Sequence, residues 1–192
     1  STESIKYKSF PLFESNLKKI PLNVGYLGRF SKEKNLLNVI DWINKLDQNL
    51  SKNFNFVFTG DINSKYGDLM KSKIKENLSS SIRITNKIFG DKQKINWFNK
   101  IDILLIQSTS DTCPLVISEA LSRGKLILCS DKVGIDFIDK SFVFSNNNTY
   151  EGFIQSLEII LEKLNSKFNS KIYSLSNMSF NYYEEFLSPK AL

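Results

Sequence analysis

An α/β domain built on a doubly wound parallel sheet is predicted by three features of the sequence. Short apolar runs alternate along the chain with segments of helical periodicity. Two of the runs, IDILLIQ (residues 101–107) and KLILCS (125–130), carry unbroken aliphatic stretches, the pattern of strands that helices cover on both faces. Glycine closes the first two runs, in YLGRF and FTGD, where a chain leaving a strand must turn.

The elements follow in order. Residues 1 to about 20 read as a lead-in segment, and residues 21–192 as one domain. LNVGYLG (22–28) is the first strand, and SKEKNLLNVIDWINKL (31–46) is a helix with Leu36, Val39, Ile40, Ile43 and Leu46 at helical spacing. FNFVFTGD (54–61) is a strand ending in a Gly-Asp turn, YGDLMKSKIKENL (66–78) a helix and SIRIT (81–85) a strand. DKQKINWFNK (91–100) is a short helix that turns Trp97 or Phe98 inward, and it leads into the strand 101–107. Between that strand and the next lies STSDTCPLVISEALSRG (108–124), whose first six residues form a loop, with Pro114 at the start of a crossover helix and Gly124 at its end. SFVF (141–144) is a short last strand. EGFIQSLEIILEKLNSK (151–167) is an amphipathic helix, with Phe153, Ile154, Leu157, Ile160, Leu161 and Leu164 on one face. The tail from 172 is rich in aromatics; Phe180, Tyr182, Tyr183 and Phe186 carry enough apolar surface to cover a partner domain.

Composition narrows the function. With 41% hydrophobic and 24% charged residues in 192, the chain has the material for one soluble domain with a core of its own. No apolar run approaches the roughly 18 residues of a membrane span, and STESIKYKSF lacks a signal-peptide apolar region, so a cytoplasmic location is expected. Cys113 and Cys129, without a CxxC, form neither a disulfide framework nor a zinc site. Cys113, close before a helix N-terminus, is expected to be the more reactive thiol of the two, with two inert core cysteines as the other reading. The absence of histidine removes the commonest general base and the usual triads. The net charge of +6 comes from lysines scattered through polar segments, which fits a solvated surface better than a nucleic-acid footprint.

Asp111 and Glu119 stand out because they flank the start of the crossover helix, at the carboxyl edge of the sheet where open α/β sheets bind ligands. On that helix Val116, Ile117, Ala120 and Leu121 face the sheet, while Leu115, Ser118, Glu119 and Ser122 face away. Arg29, just past the first strand, and Lys34 open onto the same edge. Together they suit a phosphate with a sugar attached. Two simpler readings stay open: Asp111 or Thr112 as a helix N-cap, and Glu119 with Arg123 as a surface ion pair four residues apart.

VGYLGRFSKEKN, FVFTGD and IDILLIQSTSDTCPLVISEALSRGKLILCSD, in this order and spacing over residues 20 to 140, resemble the retaining GT-B glycosyltransferases of family 4 (glycosyl transferases group 1). The likeness is to their C-terminal, donor-binding half, a Rossmann-like domain. It implies transfer of a sugar from a UDP- or GDP-linked donor to a glycan or lipid-linked acceptor, with the anomeric configuration retained. It also implies no cofactor. No Asp-x-Asp pair is present to hold a metal, so the resemblance implies a metal-independent route. Donor contacts carried over from the family fall on Gly28, Arg29, Lys34, Ile88, Pro114, Leu115, Val116 and Glu119: Arg29 and Lys34 at the diphosphate, Glu119 at the ribose, and backbone N–H groups near Pro114 to Val116 at the phosphates. Asp111 lies near the donor sugar, and the catalytic set is Arg29, Lys34, Asp111 and Glu119. The chain departs from the family at Asp111, where a glutamate is usual, at Asn86 in place of a glycine, and at Lys132-Val133-Gly134 in place of Gly-Gly. The implied partners are an N-terminal acceptor domain and the inner membrane face, in polysaccharide biosynthesis. A non-catalytic nucleotide-sugar-binding or scaffold subunit is the alternative.

Overall fold

A computed structural model describes residues 21–76, 81–112, 115–135, 138, 141–165 and 168–188. The lead-in segment, Cys113 and Pro114 lie outside the described residues. Six parallel strands form one sheet: β1 (Leu22–Leu27), β2 (Phe54–Gly60), β3 (Ile82–Asn86), β4 (Ile103–Ile106), β5 (Leu126–Ser130) and β6 (Val143–Asn146). Their order is β3-β2-β1-β4-β5-β6, so the direction of winding reverses between β1 and β4. That reversal opens a crevice at the carboxyl edge, between the loops that leave those two strands.

The side-chain period of two decides which face each strand residue serves. Phe54, Phe56 and Phe58 of β2 all point to one face, where Phe56 meets Phe153 of α6 (Tyr150–Asn165), which in turn packs on Trp42 of α1 (Leu36–Asn44). The opposite face carries α4 (Gly90–Phe98). It lies so close over β1 that a methyl group on Gly25 would collide with Ile101 and Trp97. Both Trp97 and Phe98 are buried, edge to face at 5.1 Å, and Trp97 Nε1 donates to Thr59 Oγ1 at 2.7 Å. β4 and β5 are buried at every position, as two-sided cover requires.

Three elements differ from expectation. The helix expected over 31–46 is divided, because Asn35 takes a left-handed conformation (φ 59°) between a 3₁₀ turn at Lys32–Lys34 and the start of α1. Asn35 holds that shape through its side chain, which donates to Asn148 Oδ1 and accepts from Asn38 Nδ2. A short helix α2 (Gln48–Ser51) follows, with Asp47 accepting from the backbone N–H of Asn49 and Leu50. The third difference is the tail, which docks on the chain's own sheet. It forms α7 (Phe168–Tyr182) and a π turn (Tyr183–Leu187), after α3 (Lys65–Glu76), α5 (Leu115–Leu121) and α6. Ser176 and Ser179 donate to the carbonyls of Gly124 and Lys125 at 2.7 and 3.0 Å, and Tyr182 stacks between Phe142 and Phe186. Only Phe186 of the four aromatics is mostly in solvent. Gly124, past the end of α5, needs its φ of +63°, and a methyl there would run into Ser176 Oγ.

At the far edge of the sheet Lys125 is buried, and burial pushes its ammonium pKa down to about 8 against the opposing pull of the Asp102 carboxylate. Burial raises the Asp102 pKa, although the Asn23 N–H bonded to it works the other way. No described helix is long and apolar enough to cross a membrane.

Candidate functional site

The crevice is built from backbone before any side chain enters it. Thr109 N–H donates to Glu33 O at 2.8 Å, tying the loop after β4 to the loop after β1. Asp111 N–H donates to Lys132 O, and Gly134 N–H donates to Asp111 O, which brings in the loop after β5. Below these, Ser130 Oγ donates to Ser108 O at 2.5 Å and Asn148 Nδ2 donates to the same carbonyl at 3.4 Å. Four strand ends, those of β1, β4, β5 and β6, are thereby fixed to one another.

Lys34 and Asp111, 77 residues apart in sequence, meet in this crevice with Nζ and Oδ2 2.6 Å apart. Their side chains are only 19% and 16% exposed, so solvent screens the pair little. Asp111 is therefore not a solvated loop charge; its carboxylate also lies 3.5 Å from Ser108 Oγ. Arg29 stands apart from them. Its side chain is 85% exposed and its guanidinium reaches Glu33 at 3.8 Å. What fixes Arg29 is its backbone, because the buried Tyr26 hydroxyl donates to Arg29 O at 2.6 Å. Burial, aided by the negative charges of Glu33 and Asp111, raises the Tyr26 pKa, so the phenol stays a neutral donor. The Ser31 hydroxyl bonded to Glu33 lowers that carboxyl below its ordinary value.

Glu119 is half-buried on α5 and bonded to Lys94 Nζ of α4 at 2.6 Å. The ion pair with Arg123 that spacing allows does not form among the side chains; Arg123 instead donates to Glu119 O and Ser122 Oγ and lies over the Phe98 ring. Lys94, Glu119, Arg123 and Tyr183 line a small cavity of about 180 Å³ between α4, α5 and the tail. Of α5, Ile117, Ala120 and Leu121 are buried against the sheet, as the periodicity predicts, while Leu115 is 82% exposed and Val116 is half-buried. Gly28 is exposed just past β1, and Ile88 is half-buried between β3 and α4.

Residues 11–172, more than half the chain, match the family model described as Glycosyl transferases group 1. The chain belongs to this family. No curated protein sequence matches this group 1 glycosyl transferase. Its fold is shared with sucrose-phosphate synthase from Thermosynechococcus elongatus (TM-score 0.71, 15% identity, 89% of this chain and 42% of that one). A glycosyltransferase from Rickettsia africae ESF-5 is similar too (0.67, 20%, 84% and 43%), as is Anabaena Alr3699/HepE in complex with UDP-glucose (0.66, 17%, 86% and 44%). The chain spans less than half the length of these structures, and it has the Rossmann-like architecture of one half of the GT-B fold.

Lys34 and Asp111, expected on one edge of the sheet, are in contact in the structure. Lys94 and Tyr26 carry no signal in the sequence. Lys94 lies one turn before Trp97 on a helix whose rotation the sequence leaves open, and Tyr26 reads as one more apolar strand residue until its hydroxyl is seen to reach past the strand end.

Proposed function

We propose that this domain binds a nucleotide-diphosphate sugar and, with an N-terminal acceptor domain, transfers the sugar to a glycan or lipid-linked acceptor with retained configuration. The reading rests above all on the Lys34–Asp111 pair at the point where the sheet reverses direction. The group 1 family supports a glycosyl transferase, and the complex of the Anabaena neighbour with UDP-glucose supports the donor class.

In the reaction, the bond from the sugar's anomeric carbon to the diphosphate oxygen breaks, and a bond to the acceptor hydroxyl oxygen forms as that hydroxyl gives its proton to the departing diphosphate. Negative charge accumulates on the departing diphosphate, and a fixed cation next to it lowers the barrier. Lys34 supplies that cation, held in place by Asp111 until the donor arrives. Arg29, exposed in its side chain and anchored in its backbone, closes over the outer phosphate. Gly28 leaves room for the phosphates, Ile88 borders the base, and the N–H groups of Leu115 and Val116 face the donor. Glu119 accepts from the ribose hydroxyls. The charge these cations supply makes a metal-independent route sufficient, in a cytoplasmic enzyme working at the inner membrane face.

Titration calorimetry of the 192-residue chain with UDP, GDP and the matching nucleosides tests the assignment. Glu119→Gln should weaken nucleoside and nucleoside diphosphate alike, by about tenfold for one lost charge-assisted bond. EDTA should leave the titrations unchanged. Wild-type affinity for both ligands in Glu119→Gln would reduce Glu119 to a partner of Lys94 alone.

A further inference from the structure

On the face that carries α4, the sheet stops being apolar on one side of its midline. The parallel register sets Asn23 beside Asn55, and Gly25 beside Val57 beside Arg83, in successive rows that share this face. Asn55 and Arg83 are exposed. The facing wall is one stripe of α4 and its continuation, Gln93, Asn96, Trp97 and Lys100, at the i, i+3, i+4, i+7 spacing of a single helix face. Between sheet and helix runs a groove of about 630 Å³, the size of an ordinary small-ligand site.

The chemistry of this lining is uneven. Five carboxamides (Asn23, Asn55, Asn86, Gln93 and Asn96), each both donor and acceptor, stand over a floor of Val57 and the Trp97 ring. Arg83 and Lys100 add two cations, and neither pairs with an acid among the described residues. No described carboxylate lines the groove, and the nearby Asp102 is turned to the Asn23 backbone N–H. Carboxamides in both senses suit hydroxyl groups, and two unpaired cations suit a carboxylate or phosphate. The residues Asn23, Asn55 and Arg83 lie roughly 10–16 Å down the sheet from the carboxyl ends of their strands.

We propose that this groove is a second, non-catalytic binding site for an acidic oligosaccharide, distinct from the nucleotide crevice and meeting it at Asn86 and Ile88. Its independence from the transfer reaction makes it testable whether or not the donor assignment holds.

The test is calorimetry of the full chain with tetragalacturonate as the acidic probe, maltotetraose as its neutral counterpart, and inorganic phosphate as the bare anion. Tetragalacturonate should bind saturably with a Kd of about 0.1–1 mM at low salt, and maltotetraose at least fivefold more weakly, on the order of 1 kcal/mol. Arg83→Gln with Lys100→Gln should weaken tetragalacturonate about tenfold and leave UDP binding and the circular dichroism spectrum unchanged. Asn96→Asp, which keeps both cations and adds a negative charge, should weaken it by a similar factor. Absence of saturable binding would overturn the proposal. So would unchanged affinity in these variants, or displacement of tetragalacturonate by an equal concentration of inorganic phosphate, which would make the groove a simple anion sink.

Discussion

If Lys34 serves the leaving diphosphate, Asp111 competes with the donor for it, and removing each charge should move affinity in opposite directions. In the free protein the two side chains share a 2.6 Å bond with little exposure to water. Lys34→Met deletes a charge-assisted bond to phosphate worth about 1.5–3 kcal/mol, so nucleoside diphosphate binding should fall at least tenfold. Asp111→Asn instead releases the ammonium and removes a negative charge from beside the diphosphate. At an effective dielectric of about 20–40, a carboxylate about 6 Å from one phosphate charge repels it by about 1.4–2.8 kcal/mol, reduced by salt to about 1 kcal/mol. Asp111→Asn should therefore bind the diphosphate roughly fivefold more tightly than wild type while losing sugar transfer. Titration calorimetry with UDP or GDP at two salt concentrations reads both effects, and the gain should shrink as salt rises. If Asp111→Asn and Lys34→Met weakened binding together, the pair would be a structural clamp on the two loops, and the assignment of Lys34 to the diphosphate would fail.

Two further outcomes follow from buried polar groups. Lys125 has a folded pKa lowered to about 8 from 10.5, so between those values the unfolded chain binds more protons and stability should rise with pH; urea unfolding should show the gain from pH 8 to pH 10, and Lys125→Met should abolish the slope, whereas a flat profile in wild type would contradict the burial. Gln107, fully buried just past β4, leaves both its amide nitrogen and its oxygen without a partner among the described residues; Gln107→Met should raise stability by about 1 kcal/mol, read as a higher urea midpoint, and a loss of that size would reveal that buried water satisfies the amide.

The strands were legible because each carries a signal of its own. Phe54, Phe56 and Phe58 alternate with Asn55, Val57 and Thr59 on a face that is open at Asn55, while β4 and β5 are buried at every position where both faces are covered. Helix α2 was not, since four residues with Leu50 as their one buried side chain have no period to detect. The break at Asn35 depends on Asn148, 113 residues away, and no local pattern encodes it. The candidate site divides in the same way. Lys34 and Asp111 each follow a strand, and topology alone delivers them to one edge. Which cation Glu119 meets depends on how α4 is rotated against α5, and the spacing to Arg123 pointed to the wrong one.

The loops at the crevice are joined by main-chain bonds, from Thr109 to Glu33, from Asp111 to Lys132 and from Gly134 back to Asp111. Bonds of this kind are indifferent to the identity of the residues that make them, proline excepted. Such a scaffold lets the side chains it presents, Asp111 and Lys132 among them, be exchanged without loosening the frame that holds them. Specificity can then drift by single substitutions at constant architecture.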